Sequence, residues 1–195
     1  MKEHKFPYES FIGGWYMPPI LCNNIIDYFN EKKRNNVTYP GEVNNYGKVE
    51  VAKEIKESED LEIHPNNGET PFQEYRGCLQ KSLDKYLEKY IMLNKVSHFN
   101  LNVGYNIQYY KKGGGYKVYH CERGGYPSTT KRIVAFLTYL NDVDDGGTEF
   151  YYQKIISPAK KGLTVLFPPD WTHAHRSQVS NTKEKYIVTG WFNFI

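Results

Sequence analysis

The sequence predicts one α+β domain: antiparallel strands in a β-sandwich or distorted barrel, buttressed by helices from the N-terminal half. Three observations carry that expectation. From Asn100 onward, short runs rich in Val, Ile, Tyr and Phe alternate with clusters of Gly, Pro, Asn and Asp, which is the pattern of strands and turns. Before Asn100, apolar residues fall at helical spacing. Aromatics make up 16% of the 195 residues, with 18 Tyr, which suits strands that pack ring bodies and hydrogen-bond ring tips. The length suits one sizeable core rather than two, and no repeat, low-complexity run or linker divides it. Residues 1–195 therefore read as a single domain, with helical support over about 1–97 and the strand-rich part over about 98–195.

Pro18 and Pro19 open the first helix, because a proline ring pre-sets the dihedral of a first helical position. Leu21, Ile25, Tyr28 and Phe29 of "ILCNNIIDYFNEKKR" then recur on one face. A polar stretch from about Asn35 to Asn67 is expected to be loop, with a short helix around "KVEVAKEIKES". Thr70 and Gln73 match a capping box, with Pro71 at the first helical position. The helix they open, expected over Thr70–Leu93, carries Phe72, Tyr75, Leu79, Leu83, Tyr86, Leu87 and Tyr90 on one face. That breadth calls for a sheet beneath it.

The expected strands are "NLNVGYNIQYY", "KRIVAFLTYL", "TEFYYQKII", "LTVLF" and "KYIVTGWFNFI". In the last, Tyr186, Val188, Phe192 and Phe194 share one face and read as core. Lys185, Ile187, Thr189, Trp191 and Asn193 share the other, a mixed lining better suited to a pocket.

Net charge is +3 with Lys and Glu interspersed, so no basic stripe marks a nucleic-acid partner. Cys22, Cys78 and Cys121 are odd in number and far apart, which argues against a disulfide framework and for a reducing compartment. No stretch approaches the ~20 apolar residues of a membrane span, and the first residues lack the apolar core of a signal peptide. The expectation is a soluble, cytoplasmic protein with no membrane partner; no pattern speaks to its oligomeric state.

The segment "YHCERGG" sets His120 and Glu122 two positions apart, so on a strand they project together while Cys121 points away. An imidazole beside a carboxylate begins a divalent-metal site. Downstream, "PDWTHAHRSQV" offers His173 and His175, on what reads as the start of a strand. Two histidines and one carboxylate leave positions on an iron ion open for a bidentate cosubstrate and dioxygen. If "SNTK" turns a hairpin near Ser180, Lys185 lies opposite His175, ~5 Å away across paired strands. There it would meet the far carboxylate of a dicarboxylic acid that chelates the metal. Gly113 to Gly115 read as a turn, since no helix start or Lys-Ser/Thr follows them to cradle a phosphate.

These segments resemble the iron(II)- and 2-oxoglutarate-dependent dioxygenases, in their prolyl 4-hydroxylase-like branch. The likeness runs from about Asn106 to Phe194 through four segments in order. "QYYKKGGGYKVYHCE" resembles the family's Tyr-rich strand, Gly-rich turn and first ligand pair. "KRIVAFLTYLNDVDDGGTEF" resembles its Arg-led buried strand and Gly-Gly turn. "SPAKKGLTVLFPPDWTHAHRS" resembles its distal-histidine segment, and "KYIVTGW" its closing Lys-to-Trp strand.

The resemblance implies a double-stranded β-helix (jelly roll) with its site between two sheets. It implies His120, Glu122 and His175 as ligands of Fe(2+), although the family more often has Asp where Glu122 stands. His175 is preferred to His173 because the family's cosubstrate-binding basic residue follows its distal histidine by about ten positions, as Lys185 follows His175. Lys185 would bind the C5 carboxylate of 2-oxoglutarate, assisted by Tyr110, with Tyr109 and Tyr116 as alternatives, and Trp191 would wall the pocket. Arg132 corresponds to an active-site arginine near the substrate. Arg123 and Tyr126 are expected at the site mouth, on a segment from Arg123 to Thr130 that closes over substrate.

The implied activity is hydroxylation of a C–H bond, by default in a prolyl residue of a protein or peptide. It would be coupled to oxidative decarboxylation of 2-oxoglutarate to succinate and CO2, with ascorbate as a candidate further ligand. Two other classes compete: a metal-free jelly-roll binding module, and a zinc hydrolase using the same His/carboxylate set.

Overall fold

The computed structural model describes residues 1–45 and 47–195; Tyr46, inside the stretch expected to be loop, lies outside them. In chain order the first strands are β1 (Glu3–His4), β2 (Gly13–Tyr16), β3 (Tyr39–Pro40), β4 (Val43–Asn45), β5 (Lys48–Glu50), β6 (Lys56–Glu57), β7 (Glu59–Ile63) and β8 (Phe99–Asn100). The rest are β9 (Tyr105–Tyr110), β10 (Gly115–Tyr116), β11 (Arg132–Tyr139), β12 (Val143–Phe150), β13 (Ile155–Ala159), β14 (Leu163–Phe167), β15 (His175–Ser177) and β16 (Lys185–Phe194). Two helices, α1 (Pro19–Arg34) and α2 (Thr70–Lys89), complete the frame.

A large antiparallel sheet runs in the order β1-β2-β14-β11-β16-β9-β7-β3, with β8 also paired to β16. A smaller one runs β13-β12-β15. Strand alternation sorts the large sheet's side chains between two cores. Val134, Phe136, Leu166, Val188 and Phe192 face the helices, packing with Phe29, Phe72, Tyr75 and Leu79. Leu137, Tyr139, Val165 and Phe167 point the other way, onto Val143 and Phe150 of the small sheet. Two facing antiparallel sheets with helices on one outer side are the double-stranded β-helix the sequence led us to expect.

The apolar faces of α1 and α2 are buried as their spacing predicts. Other details differ. The capping box does not form: Glu69 is the N-cap, Thr70 lies inside the helix, and the Gln73 amide bonds the Gly68 carbonyl instead. No helix forms around Lys48–Ser58; β5, a turn and β6 occupy it, because its apolar residues are too few to bury a helical face. The expected strand "TEFYYQKII" is two strands, β12 and β13, joined by a turn in which Lys154 adopts a φ of 56°.

The N-terminal half is also less helical than its spacing suggests. β1 and β2 extend one edge of the large sheet through β14, and β7 extends the other through β9. Gly162 makes the first extension possible. Its φ is 82°, and a Cβ there would sit 2.5 Å from the Met17 carbonyl oxygen. All three cysteines are free, and among the described residues no helix is long and apolar enough to cross a membrane.

Candidate functional site

His120, which lies outside any named strand, meets His175, the first residue of β15, through an isolated antiparallel bridge. Each donates its backbone N–H to the other's carbonyl, at 3.0 and 2.9 Å, so their rings sit 4.5 Å apart. The Glu122 amide is tied to the Pro169 carbonyl at 2.9 Å, which turns its side chain back toward the pair. His173 is on a one-turn 3-10 helix, Trp171–His173, so the two histidines of "THAH" do not share a strand face. Its Nε2 approaches the Ser10 carbonyl at 2.9 Å, outside the group.

His120, Glu122 and His175 present one ligand atom each, all within 4.8 Å of one another. Glu122 Oε1 lies 3.5 Å from His120 Nε2 and 3.4 Å from His175 Nε2. Donors held ~2.1 Å from one ion at 90–110° to each other are about 3.0–3.4 Å apart, and both Glu122–histidine separations are close to that. The tautomers fit as well. His175 Nδ1 contacts the His173 carbonyl at 2.9 Å and His120 Nδ1 the Val118 carbonyl at 3.2 Å, which puts the protons there and leaves both Nε2 lone pairs inward.

Burial and the neighbouring His175 both lower the His120 pKa and favour that neutral form. Burial acts to raise the Glu122 pKa, but the two imidazoles beside it outweigh that and hold the carboxyl well below its usual range. The other oxygen of Glu122 is held from behind: Trp191 Nε1 donates to Oε2 at 2.9 Å, and Arg132 Nη1 lies 3.5 Å from it. The Arg132 guanidinium also lies over the Trp191 ring at 3.5 Å and donates to the Glu122 carbonyl at 2.5 Å.

These groups open on a cavity of about 480 Å³ between the sheets. Lys185 reaches in from the far wall. It does not sit opposite His175 in a hairpin: β15 pairs with β12 in the small sheet and β16 with β9 and β11 in the large one. The chain after Ser177 crosses between sheets, so the two residues meet across the cavity. Lys185 is 3% exposed, and burial lowers its pKa to about 8. Its Nζ donates to the Gly146 carbonyl, Ser177 Oγ and the Gln178 carbonyl at 2.7, 2.5 and 3.1 Å, all neutral acceptors. Among the described residues no carboxylate forms an ion pair with it, so this end of the cavity offers a buried positive charge to an anion.

Of the three candidate tyrosines, Tyr110 and Tyr116 line the cavity. Tyr110 pairs with Lys185 in register and its ring centre is 5.3 Å from Nζ, while Tyr116 stacks on His120 at 3.6 Å. Tyr109 faces the helices, where its hydroxyl bonds Glu184. Arg123 and Tyr126 line the cavity, and Arg123 is engaged, its guanidinium 2.7 Å from Asp170. Sequence reasoning missed Ser177, although it is two residues after His175 on the same strand. It also missed Lys56, Asp60 and Gln108, which no motif marks.

Residues 105–193 match the family described as the 2OG-Fe(II) oxygenase superfamily. That segment is a 2OG-Fe(II) oxygenase domain. Fe(2+) is its metal and 2-oxoglutarate its cosubstrate, which the donor set and the buried cation suit. Solved structures share the oxygenase's fold over nearly its whole length. A Pseudomonas putida prolyl-4-hydroxylase aligns with a TM-score of 0.72 at 18% identity, over 94% of this chain and 93% of its own. A viral collagen prolyl hydroxylase from Paramecium Bursaria Chlorella virus-1, in complex with 2OG, gives 0.69 at 18% over 95% and 97%. A Trichoplax adhaerens prolyl hydroxylase, in complex with a hypoxia inducible factor peptide fragment, gives 0.72 at 14% over 94% and 84%. Among curated protein sequences, none matches this oxygenase significantly.

Proposed function

We propose that this oxygenase hydroxylates a C–H bond of a prolyl residue in a protein or peptide, coupled to decarboxylation of 2-oxoglutarate to succinate and CO2. One observation carries the reading: a His-Glu-His donor set and a buried lysine with no carboxylate partner among the described residues face each other across a single cavity. In this reading His120 Nε2, Glu122 Oε1 and His175 Nε2 hold the iron, which supplies the oxygen chemistry when bound. Lys185 receives the C5 carboxylate, exchanging a neutral acceptor for a charged one. Trp191 and Arg132 keep Glu122 turned to the metal, so Arg132 serves the ligand rather than the substrate. Prolyl hydroxylases among the fold relatives, one of them in complex with a peptide fragment, support a peptidyl substrate.

The test is turnover of iron-loaded protein against a panel of proline-containing peptides and their Pro→Ala partners. Expected are one succinate per peptide modified and a mass gain of one oxygen atom on the prolyl residue. Decarboxylation that no peptide stimulates would remove the prolyl substrate. Absence of any 2-oxoglutarate decarboxylation in iron-loaded protein would remove the reading altogether.

A further inference from the structure

The wall that carries Tyr110 continues as a chain of hydrogen bonds into residues that precede the matched segment. Tyr110 donates its hydroxyl to Gln108 Oε1 at 2.6 Å. The Gln108 amide nitrogen donates to Asp60 Oδ2 at 3.3 Å. That same oxygen accepts from Lys56 Nζ at 2.5 Å, while Asp60 Oδ1 accepts from Ser58 Oγ at 2.7 Å. Sheet register fixes each step: Asp60 is directly opposite Gln108, and Tyr110 directly opposite Lys185. Asp60, Gln108 and Tyr110 are all buried.

The direction of these bonds is set by chemistry. An ammonium only donates and a carboxylate only accepts, so Gln108 must turn its NH2 to Asp60. Its carbonyl oxygen is then the one group left to hold the phenol. A buried tyrosine whose ring centre lies 5.3 Å from Lys185 Nζ is thereby fixed by a ladder of three further residues.

Resting on the functional reading above, we infer that Asp60 and Gln108 are positioning residues for the cosubstrate: Gln108 takes the one phenol proton, so Tyr110 stands at the C5-carboxylate end of the pocket as a fixed wall rather than as a hydrogen-bond donor. Lys56 and Asp60 come from β6 and β7, so the N-terminal half completes the cosubstrate site and is more than support. Lys56 Nζ also donates to the Glu42 carbonyl at 3.4 Å, which links the rim of the cavity to the same ladder.

The test is calorimetric titration of 2-oxoglutarate into oxygen-free, Mn(II)-loaded protein, alongside steady-state kinetics of the iron form. Gln108→Ala should weaken 2-oxoglutarate binding and raise its KM by about tenfold, the usual effect of one buried hydrogen bond, with kcat within about twofold. In a Tyr110→Phe background the same substitution should add almost nothing, because the effect runs through the phenol. Lys56→Met with Asp60→Leu replaces the ion pair by apolar groups without stranding a charge. It keeps the test open should Gln108→Ala fold poorly, and should weaken binding in the same direction.

Equal losses from Gln108→Ala with and without the Tyr110 hydroxyl would overturn the inference, since the effect would then be merely structural. So would unchanged affinity in Gln108→Ala. Failure of the wild type itself to bind 2-oxoglutarate would sink the functional reading and this inference with it, whereas normal wild-type binding with unaffected variants sinks only the inference.

Discussion

Trp191 holds Glu122 by its outer oxygen: the indole N–H donates to Oε2 at 2.9 Å, while Oε1 faces His120 and His175. Trp191→Phe keeps the ring wall and deletes that one bond. Groups that orient a metal ligand typically matter by about 10–100-fold in metal affinity, and a loss in that range is expected here. Competitive Mn(II) titration of the two proteins checks it. Equal affinities would mean that Glu122 is oriented by Arg132 and its own backbone alone.

Lys185→Ala should weaken 2-oxoglutarate binding by two to four decades, because a buried carboxylate left without its countercharge costs about 3–5 kcal/mol. Metal affinity should change little. Retained cosubstrate affinity would take Lys185 out of the site; lost metal binding would mean the lysine shapes the donor set.

The same residue predicts a pH dependence. Burial lowers the Lys185 pKa to about 8, so the ligand-free pocket loses its charge as pH rises through that value. Binding of 2-oxoglutarate should therefore weaken progressively above pH 8, while Lys185→Arg, charged throughout, should show a flat profile. For the ligand-free protein the sign is opposite. Between pH 8 and the ordinary lysine value of ~10.4 the unfolded chain binds the extra proton, so this group's contribution to stability grows with pH. Titrations from neutral pH to about 9.5 and thermal melts over the same range separate the two.

Gly162→Ala should destabilise the fold by about 2–3 kcal/mol, through a strained positive φ and a clash with backbone that cannot yield. The clash is between the new Cβ and the Met17 carbonyl oxygen. Chemical denaturation measures the loss, and a variant as stable as wild type would show that the β2–β14 edge shifts freely.

Residues 123–130 should exchange amide hydrogens more slowly once a peptide binds. In the free protein the start of the segment is tied down through Arg123, which bonds Asp170, the Pro169 carbonyl and the Arg132 carbonyl, while from Gly124 to Thr130 the bonds run chiefly within the segment. Exchange rates unaffected by a peptide that is turned over would show that this segment is not a closing element.

Much of this was legible in the sequence, for reasons particular residues make plain. Strand alternation sorted most of β16: Tyr186, Val188 and Phe192 lie on the helices and Lys185, Ile187, Thr189 and Trp191 line the cavity, whereas Phe194 is outside the helix-side core and Asn193 outside the cavity lining. Ten-residue spacing chose His175 over His173, and it is His175 that converges with His120 and Glu122. What stayed hidden was long-range pairing. The local turn signal at Ser180 suggested a hairpin, but β15 and β16 find partners in different sheets. The short strands β1, β6 and β7 have too little apolar pattern to betray themselves. β6 and β7 pair with β10 and β9, far along the chain, and β1 pairs with β2, which is itself seated on the distant β14.

The placement of β16 has a consequence for how the protein is made. It lies between β11 and β9, near the middle of the large sheet, and β2, near the start of the chain, pairs with β14. A nascent chain can form α1, α2 and single hairpins while it is being synthesised, but the sheet stays divided in two until residues 185–194 leave the ribosome. Contacts of such wide sequence separation fold slowly. Until they close, the β9 and β11 edges stand open to other strands, so chaperone supply and growth temperature should govern soluble yield more than codon-level speed does.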